Sequence, residues 1–559
     1  MFAFEAMLAS ARQHEPAAFA AEADAVGNAR HRAVGGQRAI VRFDALIAAE
    51  SSARSRVDHS YATDGWNFML KVYFRHFVFG LSAAFAAVIA LADAPAPETT
   101  DPWLADLGTL ETGLARSYAN FEDNLRERST DLTAIDRQAR ASLAAARDDT
   151  ARRAALAAVV DAFRDPHLRI DWDGGGHDDA PIACPVDVRA RQDGGGLRFD
   201  RLDGYAPLES EHGRDFRAGV YRRPGTRTRY GILRIGLFTE AAFGRLCVAG
   251  AQAAGIEPDR PCDDACATKL EQAVGSRLND ALVRVLDELR AAGAQRIVVD
   301  VTDNSGGSDW VEAVARIVGG PLRPERVGML RHAAWRQYVD EKLVETDAQI
   351  STSADSERPR LAALRTAMAA DRAALADDCD LSRAWTDRDL ALGNTPLPCS
   401  TIVVGSLHSV GFLPPAAVRR EGDAASGARQ LVERRYGAYR ERKLGVPIVV
   451  LVNENTHSAA ELFAAVLQDA KRATIAGMPS PGAGCGHYTR AGTSFALPHA
   501  GATVGTPDCV RLRADGSSER RGVVPDVFVP WAPSDSAYQR AQKAAAALEA
   551  LDRRPRRSR

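Results

Sequence analysis

The apolar run from Val446 through Ile448, Val449, Val450 and Leu451 to Val452 most narrows what this chain can build. So unbroken a run predicts a strand buried on both faces, as inside a parallel sheet covered by helices. A short polar turn follows, and the Ala- and Leu-containing stretch from Ser458 predicts a helix. A serine at that junction has two readings. Ser458 with Glu461 three residues later spells a capping box, which needs no chemistry. Its hydroxyl can instead stand exposed beside the free N–H groups of the helix start, which can hold a developing oxyanion.

With 559 residues the chain exceeds one ordinary core, and two or three units are expected. A formal charge of −2, without a basic patch interleaved with aromatics, argues against nucleic acid as a partner. Residues 1–68 are rich in Ala, Arg and His with little periodicity. Lys71, Arg75 and His76 then precede an apolar run from Phe77 to Leu91, and Ala90-Leu91-Ala92 stands before Asp93. That is the layout of a signal peptide over 69–92, with translation starting at Met69 and residues 1–68 an extension. The competing reading is an uncleaved membrane anchor, since the run approaches the roughly 18 residues that span a bilayer. The expected location is periplasmic or secreted, with membrane contact only through that segment. All eight cysteines lie after it, an even number suited to disulfides in an oxidising compartment. Cys379 with Cys399 and Cys485 with Cys509 are plausible local pairs. Cys262 and Cys266 are weak evidence for zinc.

From about Asp101 to Phe163, Leu104, Leu107, Leu110 and Leu114 recur at helical spacing, and Pro166 breaks the pattern. Residues 171–229 read as hairpins and loops. Strands are expected at Tyr230–Phe238, Arg296–Val301, Thr401–Gly405, Arg472–Gly477 and Gly522–Val529, with a long amphipathic helix at 268–292. A polar stretch over about 325–380 reads as a helical insertion or lid, and the tail from Ala537 as a helix with an Arg-rich end. Strands alternating with helices predict an α/β core with a largely parallel sheet.

Five blocks in this order resemble the tail-specific proteases, serine peptidases that include the carboxyl-terminal processing proteases, the tricorn core protease and retinoid-binding repeats. They are the helical lead-in ending at Asp165-Pro166-His167, the Tyr230–Phe238 strand, the segment from Ile297 to Gly307, the segment from Pro447 through Ser458 to Gly484, and Gly522–Asp526. The resemblance implies a crotonase-like core of ββα units over 230–535, an N-terminal helical subdomain at 93–165, a loop region at 166–229 and a C-terminal helix and tail at 536–559. It implies Ser458 as nucleophile. The lysine base of the processing branch falls on Ala483, and Lys471 sits at a helix end where it serves the helix dipole. The tricorn-like branch uses a histidine where this chain has His167, and a glutamate where it has Glu519, to orient the dyad. Pro166 replaces that branch's serine, and Thr302 an arginine common in the family. The oxyanion donors would be the N–H groups of Ala459 and of Gly306 or Gly307. His457, next to Ser458, points elsewhere at a helix start. The segment between His167 and Tyr230 is shorter than the peptide-binding module many processing proteases carry, so capture of a free carboxyl tail is not expected. The resulting expectation is acyl transfer on a peptide or unfolded protein without metal or organic cofactor. A binding module of the same fold and an esterase are the competing classes.

Overall fold

In a computed structural model the described residues are 101–128, 130–172, 182–185, 192, 195–414, 444–489 and 492–553. The expectations for 1–68, for the 69–92 signal segment and for the Arg-rich end beyond 553 lie outside them.

In chain order the strands are β1 (Arg169–Trp172), β2 (Tyr205–Pro207), β3 (Gly219–Tyr221), β4 (Tyr230–Arg234), β5 (Arg296–Asp300), β6 (Arg326–Leu330), β7 (Ile402–His408) and β8 (Gly411–Phe412). They continue as β9 (Ile448–Val452), β10 (Ala473–Gly477), β11 (Phe495–Leu497), β12 (Ala502–Gly505), β13 (Cys509–Leu512) and β14 (Val527–Phe528). The helices are α1 (Pro102–Ser117), α2 (Phe121–Arg126), α3 (Leu132–Ala145), α4 (Asp149–Asp161), α5 (Glu211–Asp215), α6 (Gly244–Ala253) and α7 (Asp264–Ala291). After them come α8 (Trp310–Gly319), α9 (Ala333–Thr352), α10 (Arg358–Ala374), α11 (Arg388–Ala391), α12 (Ala459–Asp469) and α13 (Ala537–Arg553).

The architecture is mixed α/β. Among the described residues the main sheet runs β14-β10-β9-β5-β4-β3-β2. Neighbours from β4 to β14 are parallel, and β3 and β2 extend the sheet antiparallel. Every residue of β9 is buried, as the apolar run predicts. One face packs on Ala541, Ala544, Ala545 and Leu548 of α13, through Val298, Val449 and Leu451. Each buried valine or leucine among them stabilises the fold by about 1.5–3 kcal/mol, each alanine by less. α8 and α12 pack together and are apolar nearly all round, so both are interior helices.

Two further cores lie apart from the one beneath α13. Leu107, Leu110, Leu114 and Phe121 of the N-terminal helices, with Phe163 in the turn after α4, share a core with Trp385 and with Leu497 and Val504 of the β1-β12-β11 sheet. A separate sheet, β13-β6-β7-β8, carries α9 and α10 through Val327, Met329, Trp335, Leu364 and Met368. The 325–380 stretch therefore opens with a strand rather than a helix. Gly328 lets β7 approach, since a Cβ there would lie 2.4 Å from Ile402 Cγ2. The Thr401–Gly405 strand forms, but in this antiparallel layer. β14 is only two residues long because Pro525 offers no N–H and residues 519–521 form a 3-10 turn. Disulfides join Cys184 to Cys247, Cys262 to Cys266, Cys379 to Cys399 and Cys485 to Cys509. The Cys262–Cys266 bond disposes of the zinc reading.

Candidate active site

β5 and β9 are parallel neighbours with Asp300 beside Leu451, so their carboxyl ends open together, where α/β sheets place ligands. The two turns leaving them are laced together. The His457 N–H donates to the Asn304 carbonyl at 2.9 Å, Thr456 Oγ1 to the Val301 carbonyl at 3.0 Å, and Asn453 Nδ2 to Asp303 Oδ1 at 2.7 Å.

This lacing delivers Ser458 with φ 52° and ψ −119°, a conformation a non-glycine residue holds only at a cost of about 1–3 kcal/mol. Its neighbourhood has the outline of a capping box, with the Glu461 carboxylate accepting the Ser458 N–H at 2.9 Å. The Glu461 N–H faces the Ser458 side chain and donates to its carbonyl at 3.0 Å, so the capping box is present while the hydroxyl takes no strict cap hydrogen bond. Glu461 also accepts from Ser480 Oγ at 2.6 Å and from the N–H groups of Gly482 and Ala483 at 2.7 and 2.8 Å. The position where a processing protease would carry its lysine thus contributes only a buried methyl and an N–H. Lys471 sits past the end of α12 with φ 54°, its N–H on the Gln468 carbonyl at 2.9 Å.

Gly306 presses directly on the serine. With φ +107°, a Cβ there would lie 2.7 Å from Ser458 Cβ and 3.1 Å from the Ala459 nitrogen. The Gly306 N–H is engaged by Asn304 Oδ1 at 2.8 Å. Among the described residues the N–H groups of Ala459 and Gly307 meet no protein acceptor, so Gly307 is the unengaged donor of the two glycines. Thr302 donates through its N–H and Oγ1 to Asp300, and its carbonyl accepts Arg234 Nη1 at 3.0 Å.

His167 lies in the turn after α4 and is 9% exposed. Its N–H donates to Asp165 Oδ1 at 3.0 Å, and its ring Nδ1 is 3.5 Å from the same oxygen, close enough for an ion pair but not aligned as a hydrogen bond. Asp165 Oδ2 accepts Tyr118 Oη at 2.7 Å and Asn120 Nδ2 at 3.1 Å, and pairs with Arg520 Nη1 at 2.7 Å. Burial alone would raise this carboxyl, but the Arg520 guanidinium and the bonds from His167 hold it well below the usual carboxylate range. The other edge of the imidazole packs on Gly486, where a Cβ would lie 3.0 Å from Nε2. The His487 ring stands perpendicular to it at 6.5 Å, and His487 Nε2 faces Arg169 Nη1 at 3.2 Å. Burial, His167 and Arg169 push His487 down to about 3, so it stays neutral.

Ser458 and His167 meet the same loop. Arg511 Nη2 donates to the Ser458 carbonyl at 3.2 Å and to the Gly484 carbonyl at 2.8 Å, two residues before the Gly486 that contacts His167. Glu519 is buried and accepts from Arg511 Nε. Burial raises its carboxyl, which Arg511 partly counters and Glu461 reinforces. Glu519 thus faces Arg511, and the carboxylate beside His167 is Asp165. The sequence signal for Asp165 is its place two residues before the histidine, the spacing at which one side chain reaches the other's N–H. Arg511 and Arg520 carry no signal in sequence, because each acts on residues far away in the chain. Among the described residues no cluster of His, Cys, Asp and Glu could hold a metal ion. Nor is any helix among them long and apolar enough to cross a membrane.

Solved structures similar to this chain include mature CPAF complexed with lactacystin, at 15% identity over 81% of this chain and 98% of that one, with a TM-score of 0.48. The photosystem II D1 C-terminal processing protease is similar at 14% identity over 78% and 95%, with a TM-score of 0.30. A lipoprotein from Streptococcus agalactiae is similar at 11% over 80% and 96%, with a TM-score of 0.33. No curated protein matches the chain. Residues 269–529 match the model of peptidase family S41, a segment that holds Gly306, Gly307, Ser458, Ala459 and Glu519 and leaves His167 outside. Through that segment the chain is similar to peptidase family S41.

Proposed function

We propose that the chain is a tail-specific-type peptidase that cleaves peptide bonds through an acyl-enzyme on Ser458, with His167 as its base. The Ser458 hydroxyl proton passes to His167 as Oγ attacks the carbonyl carbon. The imidazolium returns that proton to the departing amine as the C–N bond breaks. Water, deprotonated by the same imidazole, then releases the acyl group as a carboxylate and restores the serine. The N–H groups of Ala459 and Gly307 receive the oxyanion, with Gly306 the spacer that lets them converge. Glu519 acts through Arg511, which holds the Ser458 and Gly484 carbonyls. This chemistry calls on no metal or organic cofactor.

The observation that carries the reading is Ser458 itself. It is a non-glycine residue at φ 52°, at the start of a buried helix, with the Ala459 N–H unengaged and Gly306 pressed against it. A capping residue has no need of such strain. We extend the reading to a crotonase-like ββα core, to peptide or unfolded-protein substrates without a dedicated tail-binding module, and to export into an oxidising compartment. Four disulfides with no free cysteine among the described residues support export. We also retain the division into a signal or anchor at 69–92, a helical subdomain at 93–165, a loop region at 166–229, a core at 230–535 and a tail at 536–559.

A fluorophosphonate probe on the purified full chain tests the mechanism. Wild type should label, and Ser458→Ala and His167→Ala should not. Equal labelling of Ser458→Ala would end the assignment. Cleavage of a casein-derived peptide mixture, compared with that of p-nitrophenyl acetate, then separates peptidase from esterase.

A further inference from the structure

We propose that Asp165 is the positioning residue of His167, and that the 519–521 turn clamps both halves of the site, through Arg520 on Asp165 and through Glu519 on Arg511. This rests on the Ser458–His167 reading above and adds to it how that pair is held.

Asp165 stands with one oxygen on the histidine and the other on the scaffold. Oδ1 receives the His167 N–H at 3.0 Å and lies 3.5 Å from Nδ1, within ion-pair reach though not aligned as a hydrogen bond. Oδ2 receives Tyr118 Oη and Asn120 Nδ2 and faces Arg520 Nη1 at 2.7 Å, an ion pair by distance though not aligned as a hydrogen bond. The Asp165 side chain is fully buried and that of Arg520 is 1% exposed. A carboxylate buried this way and bonded at both ends has little freedom to turn. A carboxylate at Nδ1 favours the tautomer that leaves Nε2 free to accept a proton, and it favours the imidazolium once formed.

The second arm starts one residue earlier. Glu519 accepts from Arg511 Nε, and Arg511 Nη2 reaches the Ser458 carbonyl at 3.2 Å. Successive residues of one 3-10 turn therefore reach the base and the nucleophile. The scaffold bonds on Asp165 come from Tyr118 and Asn120, at the junction of α1 and α2. The N-terminal helices are thus part of the catalytic support.

Asp165→Asn in the full chain tests the inference, read by peptide kcat/KM across pH 5–9 and by the pH dependence of fluorophosphonate labelling. Removing the charge should lower kcat by about 10²–10⁴-fold. It should also move the acid limb of the profile to lower pH, because the imidazolium loses its partner. Asp165→Glu should restore part of the rate. Tyr118→Phe removes one bond to Oδ2 and keeps the ion pair, so it gives a milder version if Asp165→Asn does not fold. It should lower kcat several-fold with KM unchanged and shift the same limb. A folded Asp165→Asn with wild-type rate and profile overturns the inference, as does a wild-type profile for Tyr118→Phe where Asp165→Asn is not obtained. The Ser458→Ala and His167→Ala controls keep the two proposals apart. If both controls are dead while Asp165→Asn is unaffected, only the positioning role fails. If either control stays active, the underlying mechanism fails.

Discussion

Replacing Gly306 by alanine would drive a methyl group into the backbone that carries Ser458. The added Cβ would stand 2.7 Å from Ser458 Cβ and 3.1 Å from the Ala459 nitrogen, where apolar carbons settle about 3.5–4.0 Å apart. Something must move by about 1 Å. Neither neighbour is the loose end of a long side chain, and a displacement of that size at a reacting group costs about 100-fold in rate. The residue also sits at φ +107°, which for alanine adds about 1–3 kcal/mol of strain. Gly306→Ala should therefore fold with lowered thermal stability and lose roughly 100-fold or more in kcat, the scale of losing one oxyanion donor. KM should change little, because the loss falls on the transition state. Gly225→Ala is the matched control. Gly225 has φ +82° but no atom within 4 Å of the new methyl, so the variant should cost about 1 kcal/mol of stability and leave kcat unchanged. The assay pairs thermal unfolding with peptide hydrolysis for all three proteins. A Gly306→Ala enzyme with wild-type kcat would refute the placement of the oxyanion donors.

Arg511→Met should destabilise the chain by about 3–5 kcal/mol, because Glu519 is left as a buried carboxylate without its cation, and activity should fall with it. Urea unfolding curves and peptide hydrolysis would show both effects, and the added variant Glu519→Gln should recover part of the stability. Asp508, raised by burial to about 6 from 3.8 despite the bonds it accepts from Tyr488 and Thr489, makes stability depend on pH. Its folded value exceeds its unfolded one, so the native state binds the extra proton. Its contribution is complete below about 3.8 and is lost as pH rises through about 6, a change of roughly 3 kcal/mol. Unfolding free energies at pH 4 and pH 7 should differ by about 2 kcal/mol more in wild type than in Asp508→Asn, and equal slopes would contradict it. The Cys485–Cys509 bond staples the 484–486 loop to the strand of Arg511 and closes a separation of 24 residues. The Cys485→Ser/Cys509→Ser variant should lose about 3 kcal/mol of stability and several-fold in kcat, by calorimetry and hydrolysis.

Much of this molecule is legible along the chain because some constraints are local. A buried parallel strand must be apolar at every position, so β9 announces itself, and so does the helix that follows Ser458. Leucines at helical spacing announce α1 in the same way, and closely spaced cysteines two of the disulfides. Gly306 and Gly307 are visible as a pair because few other residues take the positive φ that the turn demands. The 326–330 strand is not visible, since its reason for being extended is the partner strand β7, some seventy positions away. What holds Ser458 and His167 is hidden for the same reason. Asp165 meets Arg520, and Arg511 meets both Ser458 and Gly484, only because folding brings remote segments into one desolvated space. There an arginine and a carboxylate that would look like ordinary surface charges become fixed supports, because burial makes leaving either one unpaired costly.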